Sequence, residues 1–255
     1  MRNGQISYFL LTAFILLLSF GFVYYLNTDE KIKNQNFEVS ETSFELIKSY
    51  ADACIKQSAE QAILGTGLQG GYYSETNNVI VHSFFIIPLY SKGNIKLTPS
   101  LQKIEEQISL NLEDNLVTCV NDFKVFKDKG YEIDYKKPIS IAKILNNYVL
   151  FEINFPIAIY NQQSTKSYNT FSLAILSRYK IAYGIADKIS SQLSSTPDKL
   201  CISCLIDYGY LNDINISVAN FGENSILITL TDNKVKVGNE IFIFNFAHNI
   251  GGLSA

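Results

Sequence analysis

Three regimes of hydrophobic and polar spacing follow one another along this chain. The first is an unbroken apolar run, Ile6 to Leu26, twenty-one residues without a charged side chain. At about 1.5 Å rise per residue a helix of that length matches a bilayer's hydrocarbon thickness of roughly 30 Å. It satisfies its own backbone groups, as a span without water requires. The second regime repeats at three and four residues. Phe44, Ile47, Ala51, Cys54, Ser58 and Ala62 predict a helix over 43–64, opened by the capping box Thr42 to Glu45 and closed by Gly65. Leu101, Ile104, Ile108, Leu112, Leu116, Cys119 and Phe123 predict another, with Thr98 as N-cap and Pro99 at its first position. Ile181, Ile185, Ile189 and Leu193 predict a third over 178–193. The third regime is strand-like: Val79–Tyr90, then YEIDY, ISIAKI, YVLFEINFPIAIY and TFSLAIL from Tyr131 on, and INISVANF, SILITLT and EIFIFNFAHNI near the end.

The order of these elements carries no regular β-α alternation, so it predicts an α+β domain of largely antiparallel sheet with about three helices. Residues 1–5 read as a short cytoplasmic leader, 6–26 as a transmembrane helix and 27–40, polar and without apolar spacing, as a tether. Residues 41–255 form the extracytoplasmic domain, and Lys129-Gly130 is the one hint of a subdivision near 129. Arg2 and the amino terminus precede the span, while Asp29, Glu30, Lys31 and Lys33 cancel after it, which favours a cytoplasmic amino terminus. A cleaved secretory signal is the competing reading, but its apolar core would be shorter, and GFVYYLNTDE, Gly21 to Glu30, holds no small-x-small cleavage site.

The junction Gly4-Gln5-Ile6-Ser7, behind the short positive leader Arg2-Asn3, resembles the class III signal peptides of archaeal type IV pilin-like proteins. That resemblance covers the N-terminal segment only. It implies a prepilin-type cut between Gly4 and Gln5 that leaves the apolar helix on the mature chain. At the fifth mature position the family carries a Glu that pairs with a neighbouring subunit; this chain has Phe9 there, so the assembly contact is not implied.

Composition narrows the partners. A net charge of −3 and a pI near 5.5 offer no basic surface for phosphate backbones, which excludes nucleic acid as the expected partner. Aromatics at 13% argue for a packed domain and against a disordered stalk. The expected partners are the lipid bilayer and other envelope or surface proteins.

Candidate chemistry is sparse. Gly65-Thr66-Gly67-Leu68-Gln69-Gly70 has a dinucleotide-loop spacing, but a helix precedes it and a strand follows, the reverse of what such a loop needs, so no nucleotide is expected. Glu105 and Glu106 point about 100° apart on their helix and, with Lys103, Glu113 and Asp114, read as a solvated face. His82 and His248 stand without ligands or nucleophiles at useful spacing and read as structural. Neither a catalytic constellation nor a cofactor or metal site is expected. Four cysteines on the outer side of a membrane fit a disulfide framework. Cys54 with Cys119 is the preferred pair, stapling the first two helices; two buried free thiols are the alternative. Cys201-Ile202-Ser203-Cys204 reads as a local disulfide or structural thiols, with redox catalysis and a metal site as its alternatives. Asn215-Ile216-Ser217 is a glycosylation sequon. The function expected is a structural or interaction role at the cell surface, with a membrane-tethered thiol-disulfide oxidoreductase using Cys201 and Cys204 as the alternative.

Overall fold

A computed structural model describes residues 44–74, 77–82, 85–161, 164–221 and 224–250. The leader, the candidate processing junction Gly4–Gln5, the anchor Ile6–Leu26 and the tether lie outside them. Among the described residues no helix is long and apolar enough to cross a membrane.

Helix α1 covers 44–68 and α2 covers Leu101–Val120. They lie antiparallel, because Tyr50 Oη donates to Cys119 O at 3.0 Å while Gly71, past the end of α1, meets Ile104 near the start of α2. Helix α1 runs past the expected stop at Gly65, and its glycines have a different use. A Cβ on Gly67 would lie 2.5 Å from Phe242 and 2.7 Å from the Ile243 carbonyl, so this turn must be bare to reach the sheet. The chain turns only at Gly70 and Gly71, whose φ values are +54° and +86°. The N-cap of α2 is Ser100, not Thr98: its Oγ accepts from Lys103 N at 3.1 Å.

The expected strand at Val79–Tyr90 is a hairpin, β1 Val79–His82 and β2 Phe85–Lys92, followed by the short β3 Ile95–Lys96. Pro88 sits inside β2. The parallel neighbour of β2 pairs only from Leu89 on, so the missing N–H of Pro88 breaks no bond on that side. After α2, three left-handed residues, Asn121 to Phe123, turn the chain into the single helical turn α3, Lys124–Lys127.

The antiparallel meander expected after Tyr131 is present. Strands β4 (Glu132–Tyr135) and β5 (Ile139–Ile144) lie end to end along one side of β6 (Tyr148–Asn161), and β7 (Ser164–Leu176) lies along the other. The polar residues Ser164 to Asn169, ahead of the apolar TFSLAIL run, already belong to β7, held by pairing of Asn161 with Ser164 through Ile157 with Tyr168. Helix α4 (Tyr179–Ser195) matches expectation; α5 (Ile202–Asn212) does not appear in the sequence pattern. Its clearest apolar series, Ile202, Ile206 and Tyr210, recurs every four residues yet faces solvent. The chain ends in β8 (Asn215–Asn220), β9 (Ser225–Val237) and β10 (Glu240–Asn249). The second sheet has the order β1-β2-β10-β9-β8 with β3 added on β2, and β10 with β2 is its parallel pair. The class is therefore α+β with mostly antiparallel pairing. One buried cluster includes α1, α2, the meander, α4 and β9–β10, and so extends across Lys129–Gly130.

The carboxylates of α2 are not simply a solvated face. Strand β5 is an edge, and its outward N–H groups recur every second residue at about 6.6 Å, close to the roughly 6 Å between side chains four apart on a helix. Glu105 Oε1, Ser109 Oγ and Glu113 Oε1 accept from Ile144 N, Ala142 N and Ser140 N at 2.8, 2.9 and 2.7 Å. Helix α2 thus closes an edge that would otherwise template strand pairing.

Candidate functional site

The one sequence motif with reactive chemistry, Cys201-x-x-Cys204, opens helix α5. Its approach is held in two places, the second braced from behind by Ser91. Gln192 Nε2 donates to Lys199 O at 3.2 Å. His248 Nε2 lies 3.1 Å from Pro197 O, and Ser91 Oγ lies 2.7 Å from His248 Nδ1. A carbonyl can only accept, so Nε2 carries the proton and Nδ1 accepts from the Ser91 hydroxyl.

His248 and Ser91 are both buried, so this Ser–His pair is a brace for the loop and offers no nucleophile to a substrate. Burial holds the His248 pKa below its ordinary value, against smaller opposing effects from Pro197, Ser91 and Asp198. The folded state therefore binds its proton less readily than the unfolded chain, whose histidine titrates near 6.5. Stability from this group is complete above about pH 6.5 and is lost as the pH falls towards the lower folded pKa. Denaturant midpoints measured from pH 7.5 to 5 are expected to fall with acidity, and His248→Gln is expected to flatten that slope. Equal slopes in both proteins would refute the assignment. The carboxylates with lowered pKa, Glu45, Asp122 and Asp213, titrate below this window.

The two cysteines are bonded to each other, with Cα atoms 5.3 Å apart. Cys201 is also the N-cap of α5: its Sγ accepts from Cys204 N at 3.2 Å, and no acidic residue stands in the first turn. Half of the setting that activates a thiol is thus in place, since a helix N-terminus favours a thiolate. The other half, a strand leading into the first cysteine, is absent; α4 and a loop precede it. The motif is half-exposed and adjoins the solvent-facing Ile202, Ile206 and Tyr210.

The far end of α5 is fastened by a residue that no motif marks. Arg178 sends Nη2 to Asn212 O and Nη1 to Asp213 O at 3.5 Å, where the helix carbonyls have run out of partners. Nη1 also meets Asp232 Oδ1 at 3.0 Å, and both side chains are buried. Asp232 Oδ1 accepts in addition from Lys234 N and Val235 N, which shapes the irregularity between β9 and β10.

Of the other sequence candidates, Cys54 and Cys119 are bonded, 65 residues apart, with Cα atoms 5.6 Å from one another. No free cysteine remains among the described residues. His82 ends β1, and its side chain lies outside the described part. The Gly65–Gly71 stretch is a helix end packed on β10. Among the described residues no group of three or more His, Cys, Asp or Glu could hold a metal ion. Asn215 and Ser217 of the sequon are exposed on β8. Compared with protein-family models, with curated proteins and with solved structures, the chain has no match.

Proposed function

We propose that this is a membrane-anchored protein with a cytoplasmic amino terminus, a pilin-like N-terminal segment and an extracytoplasmic domain that works through contact with other envelope or surface proteins. The observation that carries the reading is the state of the cysteines. All four are joined in two disulfides, within the domain that follows a charge-free run long enough to span a bilayer. Such pairs persist in oxidising compartments and are uncommon where thiols are kept reduced. The exposed sequon on β8 is compatible with the same face of the membrane. The test is mass spectrometry of the mature amino terminus from the native host. A chain starting at Gln5 supports prepilin-type processing; retention of Met1 or Arg2 reduces the reading to a plain anchor.

A second reading rests on the N-cap position of Cys201. A membrane-tethered thiol-disulfide oxidoreductase needs one activated thiolate, and the start of α5 supplies helix N–H groups to that sulfur. Titration of the reduced protein distinguishes the two. A Cys201 thiol ionising below the ordinary range, whose replacement abolishes disulfide exchange, supports an enzyme. Exchange no faster than that of a model peptide removes this reading.

A further inference from the structure

The two long edges of the meander are treated differently. Side chains of α2 fill the β5 edge, whereas β7, 13 residues long, has a partner strand on one side only among the described residues. The register shows which of its backbone groups are free. Ser177 N donates to Asn147 O at 3.0 Å, and the pairing continues in steps of two, so Ile175, Leu173 and Phe171 turn their N–H and C=O groups towards β6. Thr170, Ser172 and Ala174 turn theirs outward. On β5, the outward N–H groups of 140, 142 and 144 give the same phase from the other side of β6.

A groove of about 650 Å³ runs along this free edge, with β7 from Tyr168 to Ile175 as one wall and Lys48, Asp52, Ile55 and Lys56 of α1 as the other. Backbone donors and acceptors that repeat every second residue beside a helical wall are matched by one ligand chemistry, an extended polypeptide that adds as a strand. Helix α1 begins beside the Tyr168 end. There Glu45 accepts from Lys166 Nζ at 2.9 Å and from Tyr168 Oη at 3.1 Å. A second copy would bring its β7 flanked by the same helix α1, which stands in the way of edge-to-edge pairing.

We propose that the α1–β7 groove binds an extended segment of a partner protein, with alternating apolar residues and at least one carboxylate. The apolar residues meet Ile55, Phe171 and Leu173, which line the groove. The carboxylate meets Lys56, whose side chain is 68% exposed and whose nearest acid, Glu60, is 4.0 Å away. This deepens the interaction reading above and rests on it, yet the two fail separately: a retained Met1 would remove pilin-like processing and leave a peptide isotherm unchanged.

The test uses the full chain in detergent and a labelled peptide, Gly-Thr-Val-Glu-Val-Thr-Gly. Saturable binding is expected, with amide exchange at Thr170, Ser172 and Ala174 slowed about tenfold or more and the amides of Phe171, Leu173 and Ile175 unchanged. Ser172→Pro is expected to abolish binding while keeping the thermal midpoint, because the lost N–H faces outward and a proline is tolerated on such an edge. Lys56→Glu, on the opposite wall, is expected to weaken binding on the order of tenfold by setting like charges together. Absence of saturable binding, or binding indifferent to both substitutions, overturns the proposal. So does prior protection of the three outward amides in the peptide-free chain. Protection independent of protein concentration would assign the groove to the chain's own N-terminal residues, and protection that rises with concentration would assign it to a second copy.

Discussion

Replacing Arg178 with methionine is expected to destabilise the domain by about 3–5 kcal/mol, the range for removing one partner of a buried ion pair. The reason is what remains. Asp232 is 1% exposed, and its Oδ2 has no hydrogen-bond partner among the described residues, so without the guanidinium its charge is buried and uncompensated. The last carbonyls of α5 lose their donors in the same step. Domains of this size hold roughly 5–15 kcal/mol in total, so one substitution removes a large share. Arg178→Lys keeps a charge but not the planar fork that reaches Asp232 and two carbonyls, and is expected to fall between. The double variant Arg178→Met/Asp232→Leu is expected to recover part of the loss, since the buried charge is gone while the α5 carbonyls and the N–H groups of Lys234 and Val235 stay without these partners. Urea unfolding of the four proteins checks this. A single variant less than about 1 kcal/mol from the parent would show that water or a neighbour already compensates Asp232. The neighbouring pair Lys234–Asp213, at 2.6 Å but exposed on both sides, is the contrast: its removal is expected to leave the midpoint nearly unchanged.

Loss of the Cys54–Cys119 bond is the second large effect. It closes a separation of 65 residues, and the chain-entropy relation for such a loop gives about 4 kcal/mol. Cys201–Cys204 closes a separation of three and restrains the unfolded chain much less. The paired alanine variants are therefore expected to rank clearly, with Cys54→Ala/Cys119→Ala the far less stable in denaturant. The α1–α2 contact keeps other fastenings. Tyr50 stays bonded to Cys119 O through its hydroxyl, and its ring stays packed edge-on against Phe123 and Phe126. The variant is thus expected to fold at low temperature with a reduced midpoint. Equal destabilisation by the two pairs of substitutions would contradict the entropic account.

Periodicity was readable wherever an element buries one face. Ile104, Ile108, Leu112 and Leu116 form a stripe because α2 rests against a core, and Ser140, Ala142 and Ile144 alternate with exposed Ile139, Ile141 and Lys143 because β5 is half-buried. Helix α5 is the opposite case: Ile202, Ile206 and Tyr210 recur at helical spacing, but Leu205 is its sole buried residue and that series has no core to meet, so the spacing did not point to a packed face. The glycines of α1 were read as a stop because local propensity disfavours them in helices. Their spacing to Phe242 and Ile243, far along the chain, overrides that preference. The cysteine pairing was within reach, since both residues lie on apolar stripes of neighbouring helices. The Arg178–Asp232 pair was not, since an arginine and an aspartate 54 residues apart carry no local signature.

The amino-acid sequence by itself determined the charge-free run of Ile6–Leu26, the meander, the principal helices and the α+β class, and it favoured the Cys54–Cys119 pairing that the structure then showed. Each depends on a pattern of apolar positions repeated within one element, and burying that pattern is the dominant favourable term in folding. Only the tertiary structure decided that Glu105, Ser109 and Glu113 close one sheet edge while β7 pairs on one side only among the described residues, that His248 braces the loop before Cys201, and that Cys201 caps a helix. These are pairings of single polar groups with backbone or side chains far away in sequence. Their geometry is directional and short in range, so it exists only once the apolar faces have been brought together.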